Sequence, residues 1–266
     1  MIESKDKSLL AEMNEIFSKD QYQPISFNGS EIASEDAYVA WLDIMGAGSA
    51  MRRSLTTASS MIGKFHSAIL SAIREMCAKD ESCNELEIHS LTDGAYIVAH
   101  SPQRMQEALR YIMKHLVQIF LASNFENKFL VRCAVAYGKI VTAKTMVSRL
   151  LGVDPHANDI GKDLVRNVAL GAPFEYAYKA ESYAPPLGVF LDDSVLKNDG
   201  FGKEKIWKWW DKNDERQRDF CKRFNLSLMG YWKAILANYY LYGIDADKIS
   251  NYIARGTSYY APAENV

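Results

Sequence analysis

Apolar and polar positions follow two alternating rhythms along the chain. The run Tyr38-Val39-Ala40-Trp41-Leu42 is almost wholly apolar and predicts a buried strand over roughly 37–43, ending on a lone Asp43. A turn flanked by Gly46 and Gly48 follows, and then Leu55, Ala58, Ile62, Phe65, Ile69 and Ile73 recur at steps of three and four. That spacing predicts a long amphipathic helix to about Lys79. From Glu85 to His100 the rhythm changes to alternation. Leu86 and Ile88 lead into Thr92-Asp93-Gly94, and Tyr96 to Val98 returns, so the segment reads as a β-hairpin. Helical spacing resumes over Gln103 to Leu121 with Met105, Leu109, Ile112, Leu116 and Ile119. Next comes a strand with Phe129, Val131, Cys133 and Val135 on one face and Arg132, Ala134 and Ala136 on the other. Gly138-Lys139 reads as a turn into a short run, Ile140 to Thr142. Beyond a mixed stretch with a short helix at 146–151, the pattern predicts a helix over 172–183 and a strand over 187–191.

This order predicts an α+β fold, an antiparallel-containing sheet with helices on one face. Three segments are expected: a helical arm over 1–35, a main domain over 36–198 and a helical appendage over 199–266. The arm carries Leu9, Leu10, Met13, Ile16 and Phe17 on one stripe and breaks at Pro24. The appendage opens with Trp207, Trp209 and Trp210 and continues into a tyrosine-rich helix, which reads as packing against the main domain or a second copy.

Composition narrows the function classes. Of the 266 residues, 48% are hydrophobic and 24% charged, which excludes wholesale disorder, and the net charge of −2 leaves room for a basic pocket but not for a broad nucleic-acid surface. Cys77, Cys83, Cys133 and Cys221 lack paired metal spacing and are expected as reduced thiols. MIESKDKSLL has no apolar signal core and no uncharged run is long enough to span a bilayer, so a cytoplasmic protein is expected.

The candidate chemistry begins at Asp43. An acid at a strand tip next to a helix start can cap the helix or hold a cation beside a phosphate. Asp93 has the same ambiguity, because Asp-Gly is a common turn pair. In this strand order the hairpin lies beside the first strand, so the two acids converge at one sheet edge. Two carboxylates and the Ile44 carbonyl can then hold two divalent ions that bridge a nucleoside triphosphate.

The sequence Leu42-Asp43-Ile44-x-Gly46, then Thr92-Asp93, then Arg132-x-Ala134-x-x-x-Gly138, then Gly171-x-x-Phe174-Glu175-x-x-x-Lys179-x-Glu181 resembles the catalytic domain of class III nucleotidyl cyclases. The resemblance covers about residues 36–195 and is greatest to the pyrimidine cyclases of bacterial Pycsar anti-phage systems. It implies a ferredoxin-like cyclase fold over 36–198. It also implies conversion of UTP, or less readily CTP, to a 3′,5′-cyclic monophosphate that activates a companion effector. Two Mg²⁺ or Mn²⁺ ions per site would be held by Asp43, Ile44 and Asp93. The same resemblance implies a head-to-tail homodimer whose sites combine Asp43 and Asp93 of one subunit with Glu175 and Lys179 of the other.

Departures from the family pattern bear on specificity. His89 and Val168 stand where purine cyclases carry a lysine and an acid, and Val168 cannot accept a hydrogen bond from an adenine amino group. His89 is either a base contact or a structural histidine. Glu175 and Lys179 replace an asparagine and an arginine of the family, and they are equally well read as an i, i+4 surface pair. Lys179 could neutralise the α-phosphate as a point charge without arginine's fork. Arg132 is a polyphosphate contact or a surface arginine, and Gly46 and its neighbours would turn backbone amides toward phosphate. Arg52 and Arg53 lie close enough to that turn to join them. The alternative to an active enzyme is a catalytically reduced, nucleotide-binding cyclase-like domain.

Overall fold

The computed structural model describes residues 34–78, 86–142, 169–198, 200–238 and 245–261. Contacts divide the chain into two compact units, 1–33 with 141–168 and 34–140 with 169–266, and the second holds nearly all described residues. The expected arm up to residue 33 and the short helix at 146–151 lie outside the described residues, as does Val168, whereas Glu35, placed in the arm, opens the first strand.

The centre is β1 (Glu35–Ile44), antiparallel to β3 (Gly94–Ala99) on one side and to β4 (Val131–Thr142) on the other. With β2 (Leu86–Ser90), β5 (Ala169–Leu170), β6 (Val189–Leu191) and β7 (Ile206–Trp207), the sheet order is β2-β3-β1-β4-β6-β7, and β5 pairs with β4. Only β4 and β6 are described as a parallel pair. The fold is therefore the expected α+β class, a mostly antiparallel sheet packed with helices.

The nearly continuous apolar run of β1 is explained by burial on both faces. Its even positions Tyr38, Ala40, Leu42 and Ile44 join the main core with α2 (Leu55–Cys77) and α3 (Pro102–Ala122). Its odd positions meet α4 (Ala172–Ala180) on the reverse face: Ala37 and Val39 cluster with Phe174, and Trp41 with Ala177. Helices thus cover both faces rather than one, because the alternate side chains of β1 are apolar too.

Local chemistry accounts for the other departures. The first helix breaks at Ser54, whose extended backbone and side-chain bond to the Thr57 amide separate α1 (Ala47–Arg53) from α2. Gly138 does not turn the chain. It pairs with Ala37 inside a continuous β4. The helix at 172 stops at Ala180, passes into a 3-10 turn over Glu181–Tyr183 and meets Pro185 and Pro186, which cannot continue it. Cys77, at the end of α2, is disulfide-bonded rather than reduced, whereas Cys133 and Cys221 are free and buried.

The appendage shares the main core. Its helices α6 (Glu215–Ala237) and α7 (Ala246–Tyr260) follow the short α5 (Asp193–Leu196) and β7. Trp210 stacks on Tyr260 at 5.1 Å and meets Tyr259 edge-on at 4.7 Å. The Trp209 indole and the Tyr260 hydroxyl both donate to the Leu187 carbonyl, at 3.0 and 2.8 Å. Leu187 is the one non-glycine residue with positive φ (52°) among the described residues, a conformation that persists only where its surroundings enforce it.

At the hairpin, Gly94 is a packing requirement as well as a turn residue. A Cβ there would lie 2.2 Å from the Trp41 ring and 2.8 Å from the Leu42 carbonyl oxygen. Gly94→Ala is expected to lower stability by about 1–3 kcal/mol or more, read as a shift in the urea midpoint. An unchanged midpoint would show that Trp41 moves freely aside.

Candidate active site

Residue 43 is the last odd position of β1, directly opposite Gly94 on one side and Arg132 on the other. The Ile44 amide donates to the Asp93 carbonyl at 2.9 Å, which ties the hairpin tip to the strand end. Sheet register therefore brings Asp43 and Asp93 together, as the strand order predicts, and Asp93 is near enough for its charge to raise the Asp43 pKa. The Met45 amide bonds the Leu130 carbonyl at 2.8 Å, and Gly46, with φ of 79°, reverses the chain into α1. A side chain at 46 would be strained in that left-handed conformation. Gly46, not Asp43, holds the capping position of α1, so the helix-cap reading of Asp43 does not apply.

Arg132 is not a surface arginine. Its Nη2 lies 3.7 Å from Asp43 Oδ2, and its Nε pairs closely with Glu181 Oε1. Its Nη1 donates to the Tyr252 hydroxyl at 3.4 Å, with the guanidinium 5.6 Å from the ring centroid. Glu181 is only 7% exposed and arrives from the 3-10 turn behind α4. No local sequence signal marks it as functional. Within the fourth motif it is one of two acids, with Glu175, and only the break after Ala180 turns it inward.

Burial pushes the Asp43 carboxyl up to about 6, a shift that Arg132 opposes and the Asp93 charge adds to. Burial likewise raises Glu181 to about 7, again opposed by Arg132 and reinforced by Asp43. Two carboxyls, Asp43 and Glu181, thus share one guanidinium with the Asp93 charge acting on Asp43, which leaves local negative charge for a further cation to offset. With both folded-state values above the ordinary ones of 3.8 and 4.5, the folded chain keeps protons that the unfolded chain releases. Stability contributed here falls as pH rises from about 4 to 7 and levels above that. Glu181→Gln is expected to flatten this decline. In melting temperatures taken without divalent ions, the variant should gain on wild type between pH 4.5 and 7.5, and a constant difference would contradict the burial argument.

The other predicted residues lie elsewhere. Glu175 and Lys179 pair with each other on an open flank of α4, with side chains 60% and 69% exposed, and neither is described in contact with Asp43 of the same chain. His89 is buried on β2, opposite Tyr96, edge-on to Phe174 at 6.2 Å and 3.6 Å from Glu87. Those contacts seat its ring on the reverse face, beside Phe174. Among the described residues, no three His, Cys, Asp or Glu side chains form a ready cage for a metal ion, and no helix is long and apolar enough to cross a membrane.

The chain matches no protein-family model and no curated protein. Solved structures that share part of its backbone course include the guanylyl cyclase Cya2, with TM-score 0.45 and 11% identity over 63% of this chain and 80% of that one. The guanylate cyclase domain of RhGC from Catenaria anguillulae in complex with GTP gives TM-score 0.42 and 14% identity over 61% and 81%. A bacterial light-regulated adenylyl cyclase gives 0.43 and 11% over 74% and 56%.

Proposed function

We propose that this protein is a metal-dependent nucleotide cyclase that converts a pyrimidine nucleoside triphosphate, UTP before CTP, to its 3′,5′-cyclic monophosphate and pyrophosphate. The observation that carries the reading is the junction of Asp43 and Asp93 at the end of β1, beside the Gly46 turn and Arg132. Hard oxygen donors from Asp43, Asp93 and the Ile44 carbonyl suit Mg²⁺ or Mn²⁺. Mg²⁺ in particular is usually held by one or two carboxylates plus substrate phosphates rather than by an all-protein cage. Bound there, such ions supply charge neutralisation and a lowered pKa for the ribose 3′-hydroxyl. The 3′-oxygen attacks the α-phosphorus and the bond to pyrophosphate breaks. Arg132, already oriented by Glu181 and Tyr252, faces the developing negative charge.

Exposure of Glu175 and Lys179 away from their own Asp43 supports a role across a homodimer, where they complete the partner's site. Preference for a pyrimidine base draws on the family resemblance and on His89 and Val168, and the packed seat of His89 favours Val168 as the excluding residue. By the same resemblance the product acts as a messenger for an effector in anti-phage defence within the cytoplasm.

The mutual pairing of Glu175 and Lys179 favours a second reading, a nucleotide-binding domain with reduced catalysis. Incubation with each of the four ribonucleoside triphosphates and Mn²⁺ or Mg²⁺, with products identified by mass, separates the two. A cyclic pyrimidine monophosphate is expected. Thermal stabilisation by nucleotide without product would select the second reading, and a cyclic purine product would overturn the base preference.

A further inference from the structure

The appendage does more than bury tryptophans. Between the Gly46 turn, the start of β4 and helices α6 and α7 lies a cavity of about 240 Å³. This is below the roughly 300–1,000 Å³ usual for a whole small-molecule ligand, so it suits a moiety of one. Its cationic lining comes from three elements and one connecting segment: Arg53 of α1, Lys128 before β4, Arg132 of β4 and Lys248 of α7. Arg132 is already paired with Asp43 and Glu181, and the remaining three cations exceed the two lining acids, Glu126 and Asp245, by one.

Helix α7 meets the cavity along one stripe. Lys248 and Tyr252 are four residues apart and so share a face, with Lys248 exposed and Tyr252 against Arg132. Lys128 is already engaged, its ammonium bonded to the Phe120 carbonyl and 4.2 Å from that ring's centroid. Lys248 is thus the cation on the tail side with the freedom of an exposed side chain to meet an anion.

We infer that this cavity is a polyphosphate subsite walled by the C-terminal tail, in which Lys248 binds phosphate and Tyr252 is a positioning residue that holds Arg132. The ligand's identity as the polyphosphate of a nucleotide rests on the cyclase reading above. The cavity and its charges do not. The tail then contributes directly to substrate binding, and the catalytic sheet without it lacks one wall of the site.

Calorimetric binding of inorganic tripolyphosphate to the full chain tests this. Wild type should bind with an affinity that falls as salt rises. Lys248→Glu should weaken binding by about tenfold or more, the scale of one charge-assisted contact, while Lys205→Ala, a cation on a different surface, should not. Tyr252→Ala should also weaken binding, and Tyr252→Phe, which keeps the ring over the guanidinium, should restore most of it at an unchanged melting temperature. No binding by wild type, or equal binding by Lys248→Glu, overturns the inference. Tripolyphosphate binding lost in Lys248→Glu, with none of the four nucleoside triphosphates cyclised, upholds the subsite and overturns the cyclase reading instead.

Discussion

Asp93→Asn is expected to fold normally and to lose nucleotide cyclisation by at least about 10²–10³-fold in kcat, the scale of removing one preorganised electrostatic group. The fold survives because Asp93 anchors the hairpin through its main-chain carbonyl, bonded to the Ile44 amide at 2.9 Å. Asparagine keeps that carbonyl and suits a turn as well as aspartate does. What disappears is one negative charge beside Asp43. Asp43→Asn should be equally inactive, but it also alters the Arg132 and Glu181 cluster, so the hairpin variant is the cleaner test. Product quantified by mass, alongside a thermal melt, decides the matter. Near-wild-type turnover by a well-folded Asp93→Asn protein would remove Asp93 from the site.

Trp210→Ala should cost about 3–5 kcal/mol, the usual range for deleting a large buried aromatic. Trp210 is packed between Tyr259 and Tyr260 and is only 7% exposed, so the surrounding rings cannot readily close the void. Against a typical total stability of about 5–15 kcal/mol this is a large fraction. Urea unfolding measures it directly. A loss below about 1 kcal/mol would mean that the appendage unfolds separately from the sheet.

The elements that could be read in advance share one property: their signals are local. The steps of α2 and α3 and the apolar run of β1 each fit one period and one covering layer. Asp93 was legible only by combining two facts, its turn position and the adjacency of the hairpin to β1. The register Asp43↔Gly94 expresses that combination. What local patterns could not carry depends on distant partners. The inward turn of Glu181 needs Arg132 to receive it, and Tyr252 reaches that same arginine from 120 residues away. Glu175 and Lys179 present the opposite case. Their spacing is equally good for a helix-surface pair and for a catalytic one, and within one chain they form the surface pair. Likewise the glycine at 138 carried a turn signal, but antiparallel pairing with Ala37 keeps it in the strand.

The left-handed Leu187 has a temporal side. Its amide bonds the Val131 carbonyl at 2.7 Å, next to Arg132, and its own carbonyl waits for Trp209 and Tyr260. Tyr260 follows Leu187 by 73 residues, or about 4–15 s of synthesis at roughly 5–20 residues per second. For those seconds a growing chain already carries Asp43, Asp93, Arg132 and Glu181, but not the tyrosine that clamps the Leu187 carbonyl. The backbone that leads from the candidate active site is therefore clamped only after Tyr260 has been synthesised.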